Sequence, residues 1–550
     1  MRIGIYIKEF ERLENWELRI LHGLQIDANL EVCLLIQENG NSGNTVEEDE
    51  REFGNSYSAN QGFAAMVLNL QLRLERKFFF KKINTVDKEK LLPYLKSCPI
   101  LKINLQVGNR DTSIRNGDVE KIKSFDLDVL LHLSDRFLRV EMGTLAKHGL
   151  WSLSHVKDYI NHKGYIGLRE ICARKAAISV ALHQFNGGST GTFTLDKAYL
   201  SHHWSLIKTK DFVLEGSVSL LLKNLRVLDN GIKLGCKEEN NKQALASSFQ
   251  LKDVLTYGFR FYGALVRKTV KGASNFLFGT NYQRWTLFLG KGDFLQAELS
   301  QLRPAQLPKN EFWADPFLFR FKNTCYVFFE TYDYKTKKGK LSCGKIENNE
   351  VIDVVDILDL EYHLSYPYVF EEDGEIFLMP ETMDNKRLEI YKCIQFPNKW
   401  ELFTTAFEGE MVADASFYND ILGQKWLFVN KKEMKSLPLN SELYIYKVDS
   451  AKLNTLESHI QNPVIIDSRT GRNGGAVFNF GNEIFRPSQR NVDGIYGRAL
   501  NINKIKELTI RSYVEEISEI VEPTFQEGLM SIHHMHQIEG MFVFDAAFEK

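Results

Sequence analysis

The stretch Trp313-Ala314-Asp315-Pro316-Phe317-Leu318-Phe319 is the clearest copy of a pattern that recurs in the second half of this 550-residue chain. The pattern is a short polar turn, an apolar and aromatic run, a turn of Gly, Asn or Asp, and a second aromatic run. Its copies follow one another at a period of roughly 50 to 60 residues, which is typical of a β-propeller when each unit holds several short strands. Five copies predict five blades. The other four copies are Ser365–Phe370, Val412–Phe417, Gly474–Phe478 and the weaker Ser531–Met535.

Three acidic residues occupy comparable places in this repeat. Asp315 and Asp414 begin the apolar runs of the first and third copies, and Glu381 follows the run Glu375–Pro380 of the second. Because the innermost strands of propeller blades start at one central channel, we expect these carboxyl groups to face one another there. Shifted pKa values suit buried carboxyl groups to general acid and base catalysis, so all three are candidate catalytic residues. The alternative is structural, since Asp commonly begins a turn before Pro and Glu330 ends the corresponding run of the first copy.

Five further residues of the repeats are candidates for binding a substrate. Arg472 and Arg486 could hold a phosphate or a sugar carboxylate through bidentate hydrogen bonds. They could equally be internal salt-bridge partners of the acidic residues. Aromatic residues make up 12% of the chain, which suits both a β-rich core and sugar stacking. The remaining candidates are Trp313, Tyr366 and Gln489.

Four histidines, His363, His533, His534 and His536, invite interpretation as a metal site. No helix places them at a fixed ligand spacing. The neighbours His533 and His534 are expected to point to opposite faces of a strand. The sequence therefore predicts no metal and no resident cofactor in the propeller.

Composition excludes several classes of protein. Hydrophobic residues at 44% and charged residues at 25% are ordinary for a globular protein, and a net charge of −2 gives no electrostatic case for binding nucleic acid. Seven scattered cysteines without a C-x-x-C spacing indicate reduced thiols. The N-terminus lacks the apolar run of a signal peptide, and no stretch is long and apolar enough to span a membrane. We expect a cytoplasmic protein.

Residues 1–210 alternate strand-like and helix-like segments. The strand-like segments are short apolar runs, and strands separated by helices predict an open, mostly parallel α/β sheet. The predicted strands are Arg2–Ile7, Leu30–Ile36, Leu127–Leu133 and Ala177–Leu182.

Residues 211–280 predict a helical connector that mixes aromatic residues with Arg260, Arg267, Lys268 and Lys271. A basic, aromatic helix can lie on an anionic membrane surface, which would make the connector a peripheral membrane contact. Alternatively, it is an amphipathic connector packed between domains. The propeller then occupies residues 281–550, with Trp285–Leu289 as its first strand.

The first domain resembles the N-terminal fold of formyltransferases in its opening strand, in Lys147–His155 (KHGLWSLSH) and in Gly164–Glu170 (GYIGLRE). That resemblance implies N10-formyltetrahydrofolate as cofactor, and an Asn-x-His pair with a later Asp as catalytic residues. Here Ser152 and Ser154 stand at the Asn and His positions, with His155 one residue late. The tract around residues 186–192 holds no Asp. Two serines cannot both protonate an oxyanion and orient a base, so we favour loss of formyl transfer.

The second domain resembles the propeller-like N-terminal domain of plant glucosamine inositolphosphorylceramide transferases, and more distantly the five-bladed glycoside hydrolases. In plants this domain accompanies a separate glycosyltransferase domain, and in bacteria related domains are fused to formyltransferase-like ones. The matching motifs are Trp313–Pro316 (WADP), His363–Pro367 (HLSYP), Met379–Glu381 (MPE), Gln461–Val464 (QNPV), Arg472–Gly475 (RNGG) and Arg486–Gln489 (RPSQ).

Taken together, these features favour a carbohydrate-active enzyme of bacterial surface-glycan or glycolipid assembly. It would act on a sugar or nucleotide-sugar substrate in the propeller channel. One alternative is a sugar N-formyltransferase that uses His155. Another is a non-catalytic glycan-binding or scaffold protein.

Overall fold

The computed structural model divides the chain into two compact units, Met1–Lys268 and Thr269–Lys550. The predicted boundaries at residues 210 and 280 stay predictions. Among the described residues, no helix is long and apolar enough to cross a membrane. The structure describes residues 1–38, 59–80, 83, 85–103, 105–107, 112–134, 140–154, 165–186, 192–235, 237–238, 250–278, 283–432, 437–439, 441–492 and 494–549.

The first unit is built on one mixed sheet, which confirms the predicted α/β class. Its central strands are short apolar runs buried on both faces, as expected where helices cover a parallel sheet. The five strands from Leu150–Leu153 to Ile100–Ile103 run parallel, and the remaining neighbours pair antiparallel. In spatial order the strands are Lys237–Glu238, Thr192–Leu200, Ile178–Phe185, Leu150–Leu153, Val129–His132, Arg2–Tyr6, Glu31–Glu38 and Ile100–Ile103.

Helices cover this sheet, and a buried ion pair fixes the long helix Leu206–Asp229 to the helix Asn15–Ile26. Arg19 lies 2.8 Å from the Glu215 carboxylate, which also accepts a hydrogen bond from the Asn15 amide. The two long helices in residues 206–278 confirm the predicted helical segment. A small hairpin pairs Leu105–Val107 with Thr112–Ile114. The α-helices are Asn15–Ile26, Ala59–Phe78, Lys88–Ser97, Asn116–Lys123, Leu168–Ala173, Leu206–Asp229 and Leu251–Phe278, with 3-10 turns at Phe10–Arg12 and Val140–Leu145.

The second unit is a five-bladed β-propeller, as the repeat predicts. Each blade is a small antiparallel sheet, and aromatic side chains such as Phe317, Phe328 and Phe428 are buried between blades. The 3-10 turns are Phe294–Gln296, Leu299–Gln301 and Met383–Asn385. Blade 1 holds Glu311–Phe321, Thr324–Asp333, Lys338–Glu347 and Glu350–Leu358; blade 2 holds Ser365–Glu372, Glu375–Glu381, Leu388–Gln395 and Lys399–Ala406; blade 3 holds Met411–Asn419, Lys425–Lys432, Glu442–Val448, Leu456–Ser458 and the short Ile465–Ile466; blade 4 holds Phe478–Phe480, Glu483–Val492, Ile495–Leu508 and Tyr513–Val521; and blade 5 holds Leu529–Ile538, Met541–Glu549 and Gln283–Lys291.

The ring is closed by strands from the two ends of the propeller sequence. Gln283–Lys291, which contains the predicted first strand, pairs antiparallel along its whole length with Met541–Glu549. It is therefore the outer strand of blade 5 and not a strand of blade 1. This pairing gives the last blade a third strand and fastens the two ends of the sequence together.

One irregularity recurs on the innermost strands of the blades. The pairing register shifts at Asp315, Tyr366 and Asp414 in blades 1 to 3, and these residues have φ of 50°, 48° and 51°. Gly475, at the corresponding place in the fourth repeat, has φ of 138°. A bulge of this kind redirects side chains and is common beside active sites. A positive φ costs a non-glycine residue about 1–2 kcal/mol, so the surrounding structure must hold these residues in place.

Candidate active site

The structure brings the three predicted acidic residues together around one guanidinium group. Arg472 donates from Nε to Asp414 Oδ2 at 2.6 Å, and Arg472 Nη2 lies 3.7 Å from Glu381 Oε2. Asp315 interacts electrostatically with Asp414 and with Arg472. The exposed fractions of Asp315, Glu381 and Asp414 are only 7%, 8% and 1%. Blades 1, 2 and 3 thus each contribute one buried carboxyl group to the same cluster.

The bulges that carry two of these acids are held by side chains from neighbouring blades. The backbone N–H of Asp315 donates to Asp545 Oδ2 at 2.8 Å, and the Asn473 amide donates to the backbone carbonyl of Asp414 at 2.8 Å. Glu381 is placed differently: it ends the second strand of blade 2, opposite Ser365. The irregular backbone therefore has defined partners, which keeps the carboxyl groups in place.

A second buried chain of groups leads from blade 5 to Asp315. His533 Nδ1 lies 2.7 Å from Asp545 Oδ1, and His533 Nε2 lies 3.4 Å from Asp315 Oδ1. Asp545 also accepts the backbone N–H of His534 at 3.0 Å. The imidazole therefore lies between two carboxyl groups, one anchored by backbone donors and the other in the central cluster.

The expectation that His533 and His534 point to opposite faces is wrong. A bulge in blade 5 shifts the register between Ile532 and His534, so that strict alternation breaks down at this point. As a result, His534 Nδ1 also approaches Asp315 Oδ1, at 3.6 Å.

Within the part of the chain that is described, one group offers ligand atoms close enough to hold a metal. It consists of Asp315, His533 and Asp545, whose ligand atoms lie within 4.8 Å of one another. Since His533 Nδ1 is engaged by Asp545, the geometry also fits a carboxylate–imidazole–carboxylate chain that controls a proton on Asp315. The prediction that the propeller holds no metal stays a prediction.

Burial dominates the protonation of the central carboxyl groups. It raises the pKa of Glu381 well above its usual range, and the Asp414 and Asp315 carboxylates raise it further. Glu330 in blade 1 shows the same upward pKa shift, from burial first and then from Asp315 and Glu381. Burial also raises the pKa of Asp315 to about 7. The raised pKa favours the protonated form of Glu381, which lies beside the ion pair of Asp414 with Arg472.

The pKa values of the histidines are shifted in opposite directions. Burial opposes protonation of His533, but the Asp545 and Asp315 carboxylates outweigh it and raise the pKa of His533. Burial lowers the pKa of His534 well below its usual range, and that of His536 to about 4. Of these three histidines, His533 is therefore the one whose surroundings favour the positively charged form.

Two of the predicted binding residues are parts of the core. The Trp313 ring packs on Phe329 at 4.5 Å between centroids, and its Nε1 donates to Glu311. Tyr366 is fully buried and lies edge-on to Phe317 at 4.9 Å. The structure gives neither ring an exposed face for a sugar.

The two arginines and Gln489 differ in their surroundings. Arg472 lies in the acidic cluster, whereas Arg486 is fully buried and paired with Glu515 at 2.6 Å. Arg486 also donates to the backbone carbonyl of Thr470, so its contacts are internal, but its carboxylate partner is Glu515 and not one of the candidate acidic residues. The backbone N–H of Gln489 donates a hydrogen bond to the backbone carbonyl oxygen of Arg472 at 2.9 Å, which helps to fix Arg472. The buried Gln489 side-chain amide has no hydrogen-bond partner among the residues described.

One residue of the site, Tyr496, was missed by the sequence analysis. Its ring lies 5.2 Å from the Arg472 guanidinium carbon and 5.2 Å from the His533 ring. It also lies 6.3 Å from the Trp285 ring, while 42% of its surface is exposed. It is the exposed aromatic ring beside the buried charges. It follows a Gly-containing turn outside the repeated motif, so no sequence signal singled it out.

Of the alternative formyl-transfer residues in the first unit, the structure describes Ser152 and Ser154 but not His155. Ser152 Oγ lies 3.4 Å from His132 Nδ1, and Ser154 Oγ accepts the backbone N–H of Ala181 at 2.9 Å. The Ser154 hydroxyl therefore has a structural partner. His155 and residues 187–191 lie outside the described residues.

Comparison with known proteins concerns the propeller unit. Residues 300–533 match the family described as glucosamine inositolphosphorylceramide transferase 1, N-terminal. The chain is 33% identical over 212 residues to glucosamine inositolphosphorylceramide transferase 1 of Oryza sativa subsp. indica, covering 38% of this chain and 28% of that protein. It is 32% identical over 213 residues to the protein of the same name from Arabidopsis thaliana, covering 38% of this chain and 27% of that one.

The chain therefore spans little more than a quarter of the length of these curated relatives. Among solved structures, a thermostable family-43 glycoside hydrolase is similar over 43% of this chain and 88% of its own, with 11% identity and a TM-score of 0.32. The C-terminal unit thus contains a region like the N-terminal domain of the plant transferases, folded as a five-bladed propeller. The resemblance of the first unit to formyltransferases stays a prediction.

Proposed function

We propose that this protein is a carbohydrate-active enzyme that makes or cleaves a glycosidic bond at the carboxyl cluster of its propeller. One observation carries the proposal: the buried carboxyl groups of Glu381, Asp414 and Asp315 come together from three blades beside Arg472. Paired carboxyl groups of unlike protonation are what glycosidic chemistry requires. Such groups are costly to bury.

In this proposal Glu381 is the general acid and Asp315 the general base. Glu381 gives its proton to the glycosidic oxygen while the bond from that oxygen to the anomeric carbon breaks. Asp315 takes the proton of the attacking hydroxyl group, from water or an acceptor sugar, as the new bond to the anomeric carbon forms. The Asp414 side chain stabilises the positive charge of the transition state and adds to the effect of burial in raising the pKa of Glu381, while Arg472 holds Asp414 in place.

The substrate would be a sugar or a nucleotide sugar of surface-glycan or glycolipid assembly. The names of the plant relatives, which mention glucosamine and an inositolphosphorylceramide, support a glycolipid context. The Tyr496 ring, exposed beside Arg472, supports stacking on a sugar face. Arg472 would reach an anionic group only if the ligand competes with Asp414, so a neutral sugar ring is the better fit at this position.

The proposal is tested by turnover of a panel of aryl glycosides and nucleotide sugars with the full chain. Glu381→Gln and Asp315→Asn are each expected to lower turnover by about 10²- to 10⁴-fold, as for general acid–base catalysts. The matched control is Glu389→Gln, which changes a fully buried glutamate of blade 2 that is paired with Arg387 at 2.8 Å. Full turnover in both site variants, with the wild-type fold retained, would overturn the proposal and favour a glycan-binding scaffold.

A further inference from the structure

Within the first unit, the helix Ala59–Phe78 packs against the N-terminal part of the helix Leu251–Phe278. The Tyr257 hydroxyl donates to Glu75 Oε1 at 2.6 Å, and the Phe79 ring lies 5.8 Å from that of Phe261. Glu75 is 1% exposed and also accepts the Ser205 hydroxyl. The contact is therefore specific and buried, and it fixes the two helices as one layer.

Each helix also exposes a row of large apolar side chains. The residues recur at spacings of three and four, which places them on one side of each helix. Phe259 is 84% exposed, a high value for an aromatic residue. Monomeric proteins rarely expose large contiguous apolar patches, and such patches often mark surfaces that bind a protein or a membrane. The exposed side chains are Phe63, Met66, Leu70 and Leu74 on the first helix, and Leu255, Phe259, Tyr262 and Val266 on the second.

The charge exposed on the same two helices has one sign. In the described part of each helix, the acidic residues are the buried Glu75 and the partly buried Asp253, whose carboxylate accepts the Gln250 N–H. The exposed charged residues in the first unit's share of the two helices are all basic: Arg73, Arg76, Lys77, Lys252, Arg267 and Lys268. The layer therefore combines apolar rows with positive charge.

We propose that this two-helix layer binds the surface of an anionic lipid membrane. Exposed aromatic and aliphatic side chains would enter the boundary between headgroups and acyl chains, while the basic side chains meet the lipid phosphates. A second copy of this chain is a poorer occupant, because like charges would face one another across the interface. The proposal is independent of the chemistry in the propeller. It places the enzyme where a lipid-linked substrate would be found.

The experiment is co-sedimentation of the full chain with vesicles of phosphatidylcholine, alone or mixed with phosphatidylglycerol. Wild-type protein is expected to sediment with the mixed vesicles and to be released by salt. The triple variant Leu70→Ser, Phe259→Ser, Tyr262→Ser should reduce the bound fraction at least about tenfold. The triple variant Arg73→Gln, Lys77→Gln, Arg267→Gln should remove the preference for phosphatidylglycerol.

The matched control is Ile421→Ser with Leu422→Ser, which removes two side chains that are 93% and 87% exposed on a propeller turn. It is expected to bind like wild type. Three results would overturn the proposal: no sedimentation of wild-type protein with mixed vesicles, wild-type binding by the apolar variant, or loss of binding in the control alone. Sedimentation velocity tests the alternative that the two-helix layer binds a second copy of the chain. If the apolar variant turns a dimer into a monomer and leaves vesicle binding unchanged, the membrane proposal is contradicted.

Discussion

Arg472 Nε lies 2.6 Å from Asp414 Oδ2, so a guanidinium group from the link between blades 3 and 4 neutralises a carboxylate on the bulge of blade 3. Only 1% of the Asp414 side chain is exposed. Water therefore cannot replace the guanidinium if it is removed. This ion pair joins neighbouring blades and also sets the charge that Glu381 senses.

Removing the guanidinium should destabilise the propeller. Arg472→Met leaves the Asp414 carboxylate buried without a partner, and we expect a loss of about 3–5 kcal/mol in the free energy of unfolding, measured in urea. The double variant with Asp414→Asn should recover part of that loss, because it removes the stranded charge. A double variant as unstable as the sum of the two single variants would show that the pair does not interact.

His533 should set the protonation of Asp315. Its imidazole opposes the rise in the pKa of Asp315, which is raised to about 7. His533→Gln removes that positive charge, so the pKa of Asp315 should rise further and the acidic limb of the pH–rate profile should move to higher pH. A purely structural role for His533 predicts lower turnover with an unmoved limb.

Asp315 should also make the folded protein less stable as pH rises. A carboxyl group whose pKa is raised on folding holds its proton more tightly in the native state. The free energy of unfolding therefore falls between the unfolded pKa of about 4 and the folded pKa of about 7. Asp315→Asn removes this contribution. Raising the pH from about 4 to about 7 should therefore lower the free energy of unfolding of wild type by roughly 2–4 kcal/mol more than that of the variant. Parallel stability curves for the two proteins would contradict the shifted pKa.

Gly475 is required by the backbone and by its surroundings. Its φ of 138° is unfavourable for other residues, and a Cβ there would collide with the Met535 carbonyl oxygen. Gly475→Ala should cost more than about 3 kcal/mol in urea unfolding, through strain and displacement of blade 5. Gly481→Ala is the control, because Gly481 also has a positive φ, 59°, but a Cβ there meets nothing within 4 Å. Its cost should stay near 1 kcal/mol, and equal costs would contradict the packing argument.

Tyr496 should contribute to binding and not to proton transfer. Tyr496→Ala is expected to raise KM for an accepted sugar about fivefold, because stacking supplies roughly 1 kcal/mol. Tyr496→Phe should keep the wild-type KM and pH–rate profile, since the ring is retained beside Arg472 and His533. A shifted profile in Tyr496→Phe would instead place the hydroxyl group in the proton network.

The repeat predicts the propeller, its five blades and the convergence of three acidic residues, because a fixed period places Asp315 and Asp414 on equivalent strands. It cannot predict the remainder of the site, which depends on pairing between distant strands. The bulge in blade 5 turns His533 toward Asp315, and simple alternation gives the opposite result. Likewise, Arg472 and Arg486 are chemically alike in sequence. Only the fold shows that one faces the acidic cluster and the other is paired internally with Glu515.

The most direct test of the proposed site compares the turnover of Glu381→Gln on glycosides with good and poor leaving groups. A dinitrophenyl glycoside leaves without protonation, whereas an alkyl glycoside needs the proton of a general acid. The account predicts that Glu381→Gln loses about 10²- to 10⁴-fold on the alkyl glycoside but stays within about tenfold of wild type on the dinitrophenyl glycoside. Equal losses on both, or no loss on the alkyl glycoside, would contradict the assignment of Glu381 as the acid of a glycosidic active site.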